Sequence, residues 1–174
     1  MRSLLLAASL LAGSFGSTAR AGYDQTEWGM ALAQVQKLYP GGFVDRQPTR
    51  TEYRVIRAVG EMPTAMIAFD FSGPKGGLSK VSILFPEQGT DVDLRQALFE
   101  PPSPTQAETV RMSLRAALTA KYGKPVASKE KDDAWVTPAG DGIYLGVVPV
   151  GAGLAPVVVY SPPKPDGADR TRGL

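Results

Sequence analysis

Apolar residues recur along this chain with two periods, and the period changes at stretches rich in glycine and proline. Trp28, Leu32, Val35 and Tyr39 stand at i, i+4, i+7 and i+11, one stripe of a helix that Thr26 can cap and Pro40-Gly41-Gly42 ends. Gly29 in its first turn weakens that helix. Val110, Leu114, Leu118 and Tyr122 form the stripe of a second, stronger helix. Ser103 suits its N-cap, Pro104 its first helical position and Gly123 its left-handed C′ position, and Pro125 prevents continuation.

Between and after the helices the period falls to two. "TEYRVIRAV", 51–59, predicts a strand that "EMP" breaks. "AMIAFDF", 65–71, predicts a second, with Ile67, Phe69 and Phe71 on one face and Met66, Ala68 and Asp70 on the other. "LSKVSILF", 78–85, predicts a third, joined to the second through the turn cluster "SGPKGG". Residues 86–104 read as a connection with a short helical turn at Leu94–Phe99. "DDAWVTP" (132–138), "GIYLGVVPV" (142–150) and "APVVVYSPP" (155–163) predict three further strands.

The expected fold class is therefore α+β, with two amphipathic helices packed on antiparallel β-sheet. Each helix ends on a tyrosine and a stop. Tyr53 follows Tyr39 by 14 residues, and Trp135 follows Tyr122 by 13. This parallel suggests a tandem αβββ pseudo-repeat with halves at about 24–86 and 103–163. One helix covers three strands poorly, so two such units would share or stack their sheets. Helices on a single side would leave the other sheet face open to a partner.

The N-terminus changes the domain count. "MRSLLLAASLLAGSFGSTARA" has a basic start at Arg2, an apolar core from Leu4 to Ala12, and Ala19 and Ala21 at the −3 and −1 positions of a cleavage signal. Residues 1–21 are expected to be a secretory signal peptide, and 22–165 a single domain. The polar tail 166–174 is expected to be disordered. Without residues 1–21 the chain holds 153 residues, and loss of Arg2 and Arg20 lowers its 19 basic residues to 17 against 17 acidic. A neutral product lacks the field that gathers nucleic acid. No stretch after the leader is long enough for a transmembrane helix. The product is thus expected in the periplasm or secreted.

Composition narrows the chemistry. The chain has no cysteine and no histidine. Disulfides, thiolate nucleophiles, Ser-His-Asp triads and histidine-ligated zinc sites are excluded. Ser72 to Lys75 matches S-x-x-K of penicillin-recognising acyltransferases. That chemistry needs both residues on a helix, and Gly73-Pro74 put them on a turn. Carboxylates remain. Asp70 in an apolar strand and Asp91 and Asp93 in "GTDVDL" are the best acid/base candidates of a poor set, with Asp132 and Asp133 as further carboxylates. Asp70 is expected to face water, and Asp91 and Asp93 to be solvated turn residues without a completed calcium pattern. Arg46, Arg50, Arg54 and Arg57 read as a solvated, charge-protected edge strand, and Trp28 and Trp135 as core. No cofactor or metal is expected.

"WGMALAQVQKLYPGG" resembles the opening helix of the SmpA/OmlA outer-membrane lipoproteins of the β-barrel assembly machinery, through Gly29, Met30, Gln34, Val35, Pro40 and Gly41. The tandem helix-plus-sheet plan is similar to that of β-lactamase-inhibitor proteins, which bind partners through their sheet. The chain lacks the lipid-anchoring cysteine of the first family and the disulfide cysteines of the second. These readings converge on an exported, non-enzymatic binding or envelope-accessory module whose partner is another envelope protein. The alternative is a hydrolase or lyase that works through carboxylates.

Overall fold

A computed structural model describes residues 22–73 and 76–163. The expected leader 1–21, the tail 166–174 and Lys75 of the S-x-x-K match lie outside the described residues.

The first helix, α1 (Leu32–Leu38), is shorter than the stripe implied. Thr26 does not cap it. Its buried hydroxyl instead closes a turn, donating to the Tyr23 carbonyl at 2.7 Å. Gly29 takes φ +84°, and its N–H donates to Leu78 O while Met30 O accepts from Leu78 N–H. This extended pairing delays the helix to residue 32. Gln34 Oε1 then accepts from Ala31 N–H at 2.9 Å. The stripe still faces the core, with Val35 and Tyr39 buried and Trp28 and Leu32 packed beside them.

Four strands follow: β1 (Phe43–Arg46), β2 (Thr51–Val59), β3 (Met62–Phe71) and β4 (Leu78–Leu84). The expected break at "EMP" is a tight hairpin. Val59 pairs with Met62 across Gly60-Glu61, Gly60 takes φ +64°, and Pro63 falls in the bulge beyond, where its missing N–H is tolerated. The connection carries a small hairpin, β5 (Val92–Asp93) and β6 (Leu98–Phe99), where a helical turn was expected.

The second helix, α2 (Pro104–Tyr122), has the anticipated ends. Ser103 and Gln106 form a reciprocal capping box, and Gly123 at φ +83° donates its N–H to Thr119 O at 2.9 Å. It leads into β7 (Ala127–Lys129), β8 (Asp132–Val136), β9 (Gly142–Val150) and β10 (Gly153–Ser161).

Eight strands form one antiparallel sheet in the order β1-β2-β3-β4-β10-β9-β8-β7. The fold is α+β but dominated by sheet. Each half supplies a helix and then four strands rather than three, because the short strands β1 and β7 carry no period-two signal of their own. The last strands of the halves, β4 and β10, meet at the centre with Ile83 opposite Val158.

Alternation sorts the side chains. Tyr53, Val55, Ile67, Phe69, Val81, Ile83, Leu145 and Val158 point to the helix side and are 3% exposed or less. Each such fully buried large side chain contributes about 1.5–3 kcal/mol of transfer free energy. Tyr39 and Phe69 meet at 4.8 Å between ring centroids. Trp135 is in this core as expected, and Trp28 is partly buried against it.

Candidate functional site on the second sheet face

The side of the sheet away from the helices is neither bare nor fully covered. The β5–β6 hairpin folds over one end of it, packing Phe99, Leu94 and Val92 against Met66, Leu84, Ala155 and Val150. This corrects the expectation of a wholly open face. Met66, Leu84 and Val157 lie in register across β3, β4 and β10, so one apolar row continues from under the hairpin into the uncovered part.

Beside the hairpin is a groove of about 500 Å³. Its floor includes Ala68, Ser82, Val157 and Val159, Leu98 and Phe99 form one wall, and Arg50 and Lys80 stand at its rim. Small side chains at 68 and 82, opposite one another in register, keep the floor low.

An alternating ladder of six charges runs from β1 to the groove, and four of them, Glu52, Arg50, Asp70 and Lys80, line it. Asp45 accepts from Arg54 Nη2 at 3.0 Å, Arg54 also pairs with Glu52, Glu52 with Arg50, Arg50 with Asp70, and Asp70 with Lys80 at 2.9 Å. Strand register makes this possible, because Asp45 lies opposite Glu52, Glu52 opposite Asp70, and Asp70 opposite Lys80. The two acids nearest the groove are buried, whereas the side chains of Arg50 and Lys80 are 47% and 44% exposed. The rim therefore presents cations to solvent.

Two expectations fail here. Asp70 does not face water; it is buried and held by Arg50 and Lys80. Arg54 does not sit on a solvated edge, because β1 pairs with β2 at residues 51–54 and Arg54 is buried, whereas Arg46 is exposed on β1, the edge strand itself. Arg54 donates from Nη1 to the carbonyls of Leu94 and Arg95 at 3.0 and 3.1 Å, tying the hairpin to the sheet. Its role was not readable from the two-residue turn at Gly60-Glu61, which alone would set Glu52 opposite Phe69; the bulge between Arg57 and Val59 shifts the register by one residue and brings Glu52 opposite Asp70.

The other candidates lie apart. Asp91 and Asp93 are exposed, as expected, and neither lines the groove. Asp93 Oδ1 accepts from the N–H groups of Arg95 and Gln96 at 2.8 and 3.3 Å and so shapes the hairpin turn. Asp132 accepts from the Tyr144 hydroxyl at 2.7 Å. Burial first and then this bond push the Tyr144 phenol up to about 12. Asp133 is buried on the helix side, 2.9 Å from Arg115 Nε and 3.6 Å from Arg111 Nη1. Arg111 also holds Glu108, and the hydrogen bond between them keeps that exposed carboxyl below its ordinary range. Ser72 is an exposed turn residue. Among the described residues no cluster of three or more metal-ligating side chains occurs.

No protein-family model, curated protein or solved structure matches this chain.

Proposed function

We propose that this protein is an exported, non-enzymatic binding module that uses the groove on its second sheet face to hold an extended segment of another envelope protein. The observation that carries this reading is the groove itself, an apolar floor beside two exposed cations. An elongated apolar segment with an acidic residue at one end is complementary to it. The groove favours binding over catalysis because both carboxylates that line it are already paired with two cations each, Glu52 with Arg50 and Arg54 and Asp70 with Arg50 and Lys80. A general base needs a free lone pair within reach of a substrate proton.

The same reading treats the halves as copies of one helix-plus-four-strand unit. In each half an aromatic residue of the second strand reaches back to the end of the helix, Tyr53 to Tyr39 O at 2.5 Å and Trp135 Nε1 to Gly123 O at 3.0 Å. Recognition through the sheet is also what the resemblance to β-lactamase-inhibitor proteins implies.

A photo-crosslinking residue at Ser82, on the groove floor, tests the function in cells that express the full chain. The expected result is one discrete adduct, lost in Arg50→Glu/Lys80→Glu and absent when the probe sits at the exposed Ser113 of α2. Equal adducts at both positions, or an adduct indifferent to the charge reversals, would refute the groove as the binding site.

A further inference from the structure

Asp141 closes the turn that begins at Thr137, immediately before β9, and is 2% exposed. Among the described residues no lysine or arginine pairs with it. Its carboxylate is held by donors from far away in sequence, Trp28 Nε1 to Oδ1 at 2.8 Å and Gly22 N to Oδ2 at 3.2 Å. The Thr137 hydroxyl lies 3.4 Å from Oδ2 and accepts from Asp141 N–H at 3.1 Å. A buried carboxylate held only by neutral donors is costly compared with one facing a cation.

Gly22 is the residue that would follow the expected cleavage after Ala21. It takes φ +148°, and a Cβ there would stand 2.0 Å from Thr26 O. A side chain would clash there, so this backbone path beside Thr26 requires glycine.

We propose that the α-ammonium of Gly22, created by removal of residues 1–21, is the missing cation, and that leader cleavage completes the fold by forming a Gly22–Asp141 ion pair. The proposal rests on the export reading above. A leader peptidase would hydrolyse the Ala21–Gly22 amide with water; Ala21 retains the new carboxylate and Gly22 the new amine, which is protonated at neutral pH. One amide N–H facing Asp141 becomes an ammonium with three donors and a full charge. Trp28 gives this pair a second purpose, since its indole clamps the other carboxylate oxygen and fixes the segment before α1 onto the second half of the sheet.

The test uses the exported product of the full chain, with its N-terminus read by sequencing and intact mass. Its melting temperature is compared with that of the same chain retaining Ala21, which moves the ammonium by about 3.8 Å. The expected result is a product that begins at Gly22 and melts about 5 °C above the extended form, a gap that vanishes in Asp141→Asn. In the unsubstituted product, the α-amine should also react at least about tenfold more slowly with an amine-labelling ester at neutral pH than after denaturation. This second readout stands even if Asp141→Asn does not fold. A product that begins at Gly22 but melts with the extended form and labels at the unfolded rate overturns the ion pair alone. A product that begins elsewhere, or no exported product, overturns the export reading and the ion pair together.

Discussion

The Tyr53 hydroxyl donates to the Tyr39 carbonyl at 2.5 Å and accepts from Gly42 N–H at 2.9 Å. A residue of β2 thereby holds both ends of the segment that leaves α1. A Cβ at Gly42 would stand 2.5 Å from the Tyr53 ring, so the chain passes directly over the phenol. Tyr53→Phe keeps the packing and orphans a buried carbonyl and an amide. We expect a loss of about 1–2 kcal/mol, read as a lower denaturation midpoint with an unchanged slope.

The charge ladder should be unequal along its length. Arg54 is buried and bonds to Asp45, Glu52 and the hairpin carbonyls, so Arg54→Ala leaves several polar groups without partners. A loss of about 3–5 kcal/mol is expected. Lys80→Ala removes an ammonium that is 44% exposed and leaves Asp70 with Arg50. Its cost should stay below about 1 kcal/mol. Chemical denaturation of the two variants checks the contrast, and similar losses would contradict it.

On the helix side, Asp133 joins β8 to α2 through Arg111 and Arg115. Asp133→Ala should cost about 2–4 kcal/mol, because the buried Arg111 loses its one buried partner and keeps the exposed Glu108 and the more distant charge of Asp132. The double variant Asp133→Leu/Arg111→Met should recover much of this loss. A double variant as unstable as Asp133→Ala would show that packing, and not charge, holds the helix there.

Stability should fall in alkali. Burial raises the phenols of Tyr23, Tyr39 and Tyr160 above the usual tyrosine range, with Asp24 adding to the shift at Tyr39 through a 2.8 Å hydrogen bond. A group whose pKa is raised in the folded state contributes stability that is intact below its unfolded value, about 10, and is lost as pH rises through the folded one. Unfolding free energy should be flat on this account up to about pH 9.5 and decline beyond it. Phenolate absorbance should rise in step with loss of near-ultraviolet circular dichroism. Full phenolate signal from a still folded protein would contradict the burial.

The turn between β7 and β8 offers a gain. Glu130 adopts φ +48°, a conformation glycine takes at less cost. Lys129 pairs with Asp132 across it, and the Glu130 side chain is exposed. Glu130→Gly should raise stability by less than about 1 kcal/mol, because relief of the left-handed backbone, about 1–2 kcal/mol, is partly offset by glycine's greater freedom in the unfolded chain, and the melting point should rise by up to a few degrees.

What the residues determined alone was local. α2 was legible at both ends because Ser103, Pro104 and Gly123 act through backbone geometry within one turn. β2 and β9 were legible over their whole length because nine-residue runs rich in β-branched and aromatic residues, bounded by turn residues, favour extended backbone whichever faces are buried. The second sheet face was legible as a list of positions, Met66, Ala68 and Asp70, but not as a site. Tertiary structure decided the rest. It cut α1 short because residues 29 and 30 gained more from pairing with Leu78 than from extending a helix. It buried Asp70 and Arg54 because neighbouring strands brought opposite charges into register, an arrangement no single strand encodes. It brought Gly22 to Asp141 across 119 positions. Caps, turns and periods are contests between adjacent groups, whereas the protonation, pairing and exposure of a side chain depend on what the fold places beside it.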